Sequence, residues 1–152
     1  MDPSQAALLY TERLKSYRRF IQLVGYPQGL THFFVDSPFL ASDMKVLDAG
    51  CGTGTLSLGW HQALTRAAYT PGELYGFDLT PAMLAVFKHT LENRPAVNVE
   101  LLQCDALNVD SLPDNWRDFE LIMSAAMLEY IDKDKVVSVL SGLRPRLADD
   151  EI

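Results

Sequence analysis

The sequence predicts an α/β fold, a parallel sheet covered on both faces by helices. From Lys45 onward, short apolar runs alternate with stretches of helical periodicity. Strands are predicted at 45–49, 73–78, 97–102 and 119–124, and helices at 54–68, 81–92 and 133–147. The links between them are short, and such strand–helix–strand units close by right-handed crossovers onto a parallel sheet. The third observation is the segment Asp48-Ala49-Gly50-Cys51-Gly52-Thr53-Gly54, where a strand passes directly into a helix through three glycines at alternate positions.

Composition bounds the rest. A chain of 152 residues with 48% hydrophobic and 22% charged residues predicts one domain with a true core. The formal charge of −7 argues against a nucleic-acid polyanion as partner, since that partner demands a basic footprint. No apolar run approaches the ~18–20 residues of a membrane span, and no basic-then-apolar leader opens the chain. Cys51 and Cys104 lack ligand spacing, so neither a disulfide framework nor a metal site is expected, and the setting is a reducing, cytoplasmic one.

Taken in order, Asp2-Pro3 opens a first helix, with a capping carboxylate and proline in the first turn. Tyr10, Leu14, Tyr17, Ile21 and Val24 share one face, and Gly25-Tyr26-Pro27 stops the helix. Arg13, Lys15, Arg18 and Arg19 fall mostly off that stripe and read as a solvated face. Residues 25–43 read as an irregular segment rich in aromatics (Tyr26, Phe33, Phe34, Phe39), so that 1–43 forms a helical cap and 44–152 the sheet domain. In the sheet domain, Thr80 is the expected N-cap of the second crossover helix, Pro81 its first residue, and Leu84, Phe87 and Leu91 its inward face. The third helix begins at Asp132 and places Val136, Leu140, Leu143 and Leu147 on one face. Arg144 and Arg146 suit the negative end of its dipole, while Pro145 frays it.

The glycine turn carries the chemistry. A strand turning into a helix through glycines brings backbone N–H groups and a helix N-terminus close to a ligand, and a Cβ there would block the turn. Asp48, two residues ahead of the first glycine, would repel a pyrophosphate but suits a ligand bearing an amino group. Asp48-x-Gly50-x-Gly52-x-Gly54 resembles the first motif of class I S-adenosylmethionine-dependent methyltransferases, and the likeness runs from about Met44 to the end of the chain.

That resemblance implies a Rossmann-like three-layer α/β/α sandwich with strand order 3-2-1-4 present and strands 5–7 of the family's sheet missing. It implies S-adenosylmethionine as cofactor and S-adenosylhomocysteine as product. Gly50, Cys51, Gly52 and Gly54 would pass along the methionine portion, with Asp48 meeting its amino group. Asp78, ending Leu74-Tyr75-Gly76-Phe77-Asp78, would accept the ribose hydroxyls, with Leu79 and Met83 against the adenine. Asp105 and Ala106, after the third strand, would bond the adenine edge, and Ser124 at the end of the fourth strand completes the set. Ser124-Ala125-Ala126-Met127 stands where amide-methylating members carry Asn-Pro-Pro-Tyr, which disfavours planar nitrogens as acceptors.

No catalytic residue is named. His61 lies nearest the glycine turn in sequence, while His32 and His89 lie farther off, and a helical histidine there more often packs or meets solvent. Tyr17 and Tyr26 offer side chains from the N-terminal segment, and Glu129 reads equally as a helix-start charge. The implied function is methyl transfer to a small-molecule acceptor, by this chain or by a longer one of which it is the cofactor-binding part. The alternative is a non-catalytic module, or a fragment needing a partner chain. On this reading Ile152 would barely begin a fifth strand, and the fourth would be an open edge inviting self-association or a completing chain. A nicotinamide oxidoreductase is disfavoured, because its fingerprint spaces glycines as Gly-x-Gly-x-x-Gly and lacks the preceding acid.

Overall fold

The computed structural model describes residues 14, 16 and 18–149. A first helix, α1, is described over 18–23. It is followed by α2 (Tyr26–Val35), β1 (Val46–Ala49), α3 (Thr55–Arg66), β2 (Leu74–Asp78), α4 (Pro81–Glu92), β3 (Val99–Gln103), β4 (Leu121–Met123) and α5 (Val136–Leu143). Short 3-10 turns, none expected from the sequence, lie at Ala106–Ser111, Met127–Tyr130 and Arg144–Arg146.

The sheet is parallel throughout, in the order β3-β2-β1-β4, with Val46 opposite both Leu74 and Leu121. Side chains alternate across it. Val46, Leu74 and Met123 pack under α2 and α3, against Phe34, Trp60 and Leu64. Leu47, Ala49, Tyr75 and Phe77 face the other way, onto Trp116, Phe119, Val139 and Leu143. Asp48 shares the parity of Val46 and is therefore carried into the α3 side of the sheet. These two layers around one sheet are the Rossmann-like sandwich.

Three expectations need correction. The 25–43 segment is not irregular, because α2 occupies ten residues of it. Gly25, at φ 68, ends α1 in the left-handed region, and Pro27 then sits in the first turn of α2, where its missing N–H is no loss. One glycine and one proline thus make a corner between two helices. Along α1, Ile21 is buried but Val24 is exposed, Arg18 and Arg19 are exposed as expected, and Asp2, Tyr10, Arg13, Lys15 and Tyr17 lie outside the described residues. In α5 the buried positions are Val139 and Leu143, whereas Leu140 is 50% exposed. The helix starts at Val136 rather than Asp132, and its inward stripe is the i, i+4 pair that follows from that start.

The third correction concerns the sheet's edge. Leu147 makes a parallel bridge to Phe119, with Phe119 N–H donating to the Arg146 carbonyl at 3.0 Å and Ala148 N–H to the Phe119 carbonyl at 2.8 Å. Glu120 N–H donates to the Lys45 carbonyl, so the Leu147 bridge lies on the side of the strand away from β1. Pairing on the outer edge of the fourth strand therefore begins at Leu147, five residues before Ile152, and only Leu121–Met123 remains open there among the described residues.

Arg146 is more than a dipole partner. Its guanidinium donates to four backbone carbonyls, those of Pro113 (3.1 Å), Trp116 (2.8 Å), Val109 (2.9 Å) and Leu112 (3.2 Å). A planar fork of five donors is suited to gather carbonyls along an irregular stretch, two of which, those of Val109 and Pro113, also accept a backbone N–H. Arg146→Ala is expected to lower the free energy of unfolding by about 2–4 kcal/mol, since four carbonyls, most of them partly buried, lose a charged donor. Arg146→Lys should recover little of it. The midpoint of urea unfolding checks both.

Candidate functional site

The C-terminal ends of the four strands open into a cleft with about 1010 Å³ of open space, part of it continuous with solvent. It lies where the chain switches from β1 to β2 on one side and β4 on the other, the usual ligand position in open parallel sheets. Ten of the eleven residues expected to hold a cofactor surround it or form its turn. Asp48, Gly50, Cys51 and Gly52 line it from the β1–α3 loop, Asp78, Leu79 and Met83 from the β2–α4 junction, and Asp105 and Ala106 from beyond β3. Gly54 is part of the same turn but faces away from the cleft. Ser124 is exposed and does not line the cleft, whereas Ala125, Ala126 and Met127 do, because the chain has turned by then.

The glycines do three different jobs. Gly50, Gly52 and Gly54 have φ of 74, 53 and 88, a region that strains any L side chain. At Gly52 a Cβ would meet nothing nearer than the Met83 methyl at 4.0 Å, so the glycine keeps cleft space open. At Gly54 it would strike the buried ring of Phe87 on α4, so that glycine serves helix packing. At Gly50 it would strike Met127 at its Cβ, so that glycine admits the close approach of the turn after β4.

The turn also spends its own donors. Cys51 N–H donates to the Phe77 carbonyl, Gly54 N–H to the Cys51 carbonyl, and Gly52 N–H to Asp78 Oδ2 at 2.9 Å. The N-terminus of α3 is met by a protein carboxylate, Asp48, whose Oδ2 accepts from the Ser57 hydroxyl at 2.6 Å. Three of the N–H groups that the turn brings close to a ligand are thus bonded to protein acceptors. An anion such as pyrophosphate would find these three donors engaged and two carboxyl groups, Asp48 and Asp78, at the strand ends, which disfavours a dinucleotide.

Asp48 is 1% exposed, and its Oδ1 has no partner. Burial pushes its pKa up to about 7, the Ser57 hydroxyl and N–H draw it back, and the charge of Asp78 adds to the rise. Asp78 holds the loop and α4 together, since its Oδ1 accepts from Thr80 N–H at 2.8 Å while its Oδ2 takes Gly52 N–H. Its pKa is also raised by burial, with those N–H bonds opposing. Thr80 stands at the N-cap of α4, but its side chain makes no capping bond. Asp105 caps the following 3-10 turn, with Oδ1 accepting from Leu107 N–H at 2.9 Å.

Burial raises the Cys51 thiol well above its usual range, with the charges of Asp48 and Asp78 adding, so it stays protonated. Cys104 is raised by burial too, and both cysteines are free. His61 faces elsewhere, in a groove at the opposite end of the strands with Met44, Trp60 and Glu73, where its Nε2 is buried without a partner. His32 and His89 are exposed, and Glu129 lies exposed in the Met127–Tyr130 turn. Tyr26 of α2 does line the cleft, together with Tyr130 and Ile131. The resemblance placed Met127, Tyr130 and Ile131 in the loop facing substrate after the fourth strand, and sequence reasoning gave Ser57 no role beyond the opening of a helix. No group of three or more metal-ligating side chains is found, and no helix is long and apolar enough to cross a membrane, among the described residues.

A buried carboxylate oxygen without a partner, a second carboxylate at the next strand end, apolar walls and a kept-open turn fit a ligand with an amino group, a diol and a flat ring. The comparisons with known proteins agree. The profile of the methyltransferase domain family matches residues 46–150. A demethylmenaquinone methyltransferase from Geobacillus sp. (strain WCH70) is 37% identical over 78 residues, 51% of this chain and 31% of that protein. The mitochondrial citrate synthase-lysine N-methyltransferase of Pongo abelii is 27% identical over 146 residues, 88% of this chain and 55% of that protein. The chain thus spans from about a third to about half of these relatives. Among solved structures, the magnesium protoporphyrin IX methyltransferase of Synechocystis PCC 6803 with bound S-adenosylmethionine superposes with a TM-score of 0.73 at 18% identity, over 97% of this chain and 72% of that one, a likeness of fold. The chain belongs to the methyltransferase domain family, of the class I kind built on a Rossmann-like sheet, with S-adenosylmethionine as its cofactor.

Proposed function

We propose that this chain holds S-adenosylmethionine in the cleft above β1–β4 and serves methyl transfer to a small apolar or aromatic acceptor. The observation that carries the reading is the pairing of Asp48 and Asp78 at adjacent strand ends around a turn whose Cys51, Gly52 and Gly54 N–H groups are bonded within the protein. When bound, the cofactor supplies an electrophilic methyl group whose leaving group is a neutral thioether. Asp48 receives its amino group and Asp78 the ribose hydroxyls. Leu79 and Met83 pack on the adenine, and Asp105 and Ala106 bond its edge. Little further chemistry falls to the protein beyond orienting the acceptor in line and excluding water.

Residues up to 43 act as the cap on the acceptor side, which Tyr26 at the cleft supports. Met127, Tyr130 and Ile131 give the opposite rim an apolar character, and the charge of −7 disfavours RNA. The buried free thiols accord with a reducing, cytoplasmic setting. The open edge at Leu121–Met123 offers a pairing surface to a further strand, from a second copy or a completing chain.

Labelled methyl transfer to a panel of small phenolic and quinol acceptors, lysine peptides and RNA tests the acceptor class. Transfer to the small acceptors alone is expected. Transfer confined to peptide or RNA overturns the small-molecule reading, and cofactor binding without any transfer makes the chain a binding module.

A further inference from the structure

Asp48 is the residue of the cleft whose environment is hardest to maintain. It is fully buried on the α3 side of β1, next to a second carboxylate, Asp78, and to the thiol of Cys51. The ionised form of such a group is strongly disfavoured unless it is hydrogen-bonded. The neighbours that face it are of three kinds. From β2 comes the like charge of Asp78. From the glycine turn comes a protonated thiol. From α3 comes Ser57, itself fully buried, whose hydroxyl donates at 2.6 Å. Ser57 is the third residue of α3, in the first turn, where backbone N–H groups lack intrahelical acceptors and the helix dipole favours a negative charge.

We propose that Ser57 is a positioning residue for cofactor binding, holding the ionised Asp48 carboxylate by Oδ2 so that Oδ1 is left to receive the amino group. The inference rests on the placement of the cofactor in this cleft and goes beyond it, since Ser57 itself lies outside the cleft lining. Two observations converge on it. A buried serine hydroxyl spends its donor on one carboxylate oxygen, and the other oxygen of the same carboxylate is left buried with nothing bonded to it. An oxygen so placed is stable only when protonated or when a cation or donor arrives.

The consequence is a proton linkage. The cofactor's ammonium selects ionised Asp48, whereas the cofactor-free site holds a proton with a midpoint near pH 7. Affinity therefore reaches its plateau above that midpoint and falls by about tenfold per pH unit well below it. Ser57 lowers the midpoint, so removing its hydroxyl must raise it. The cofactor's own amino group loses its proton at about pH 8 or above, so the acid limb is the informative one.

The experiment is calorimetric titration of the full chain with S-adenosylmethionine between about pH 5.5 and 7.5, for the unaltered protein, Ser57→Ala, Asp48→Asn and Asp78→Ala. Ser57→Ala fits a buried helical position and should fold, which circular dichroism checks. Its acid limb should move up by about one pH unit, so that affinity at pH 7 falls severalfold to tenfold and the deficit shrinks as the pH rises. Asp48→Asn should bind weakly and lose the limb. A Ser57→Ala curve that is unchanged, or lower by the same factor at every pH, overturns the positioning role while leaving the cofactor placement intact. Affinity indifferent to Asp78→Ala and Asp48→Asn, or no binding by the folded chain, removes the placement and the proposal together.

Discussion

Asp78→Ala is expected to weaken S-adenosylmethionine binding by at least about 100-fold, or roughly 3 kcal/mol, with the fold retained. The size follows from the number of bonds that converge on one carboxylate. Its two oxygens already accept from Gly52 and Thr80, which fixes their orientation. Their remaining lone pairs would take two ribose hydroxyls, and hydrogen bonds to a charged acceptor are worth about 1.5–3 kcal/mol each. Alanine also releases the Gly52 and Thr80 amides, so the glycine turn loses its tie to α4. Asp78→Asn should fall between the two, since one carbonyl oxygen survives but an amide N–H then faces a backbone N–H. Calorimetric titration near neutral pH reads both variants. An unchanged dissociation constant for Asp78→Ala would place the ribose elsewhere.

Gly54→Ala is expected to destabilise the folded chain by about 3–5 kcal/mol, combining overpacking with a left-handed backbone. The residue sits at φ 88 as the N-cap of α3, and its Cβ would run into the ring of Phe87. Phe87 is fully buried against Leu84 and Cys51, so the ring has no free volume into which to withdraw. Gly52→Ala shares the positive φ but meets open space, so its cost should be limited to backbone strain, about 1–2 kcal/mol. Thermal or urea unfolding of the two variants side by side makes the comparison. Equal losses would mean that Phe87 moves aside and that strain alone sets the cost.

Much of this architecture was legible because a few residue types leave the backbone little choice. Three alternate glycines behind an aspartate announce a strand-to-helix turn, and the helix at Pro81 begins where proline is tolerated. The same logic failed at Gly25-Tyr26-Pro27, where residues that stop one helix are equally able to start the next. It failed again in α5. There the inward stripe depends on where the helix begins, and the sequence points to Asp132 whereas Lys135 is the N-cap. The site was legible where a side chain meets the ligand and illegible where it meets another side chain. The Ser57–Asp48 bond joins a strand to the first turn of the helix after it, and the Arg146 contacts reach back 30–37 residues. Neither has a period or a spacing that a linear pattern could display.

The Arg146 fork has a consequence for biogenesis. Its four acceptors belong to the stretch that joins β3 to β4, which contains no element longer than a 3-10 turn. A ribosome adds about 5–20 residues per second, so that stretch emerges seconds before the side chain that gathers its carbonyls. During this interval β1, β2 and β3 can already associate, but the wall begun by Asp105 and Ala106 has no anchor. The nascent chain thus anchors the Asp105–Ala106 side of the cleft only once Arg146 has emerged, through a residue outside the cleft lining.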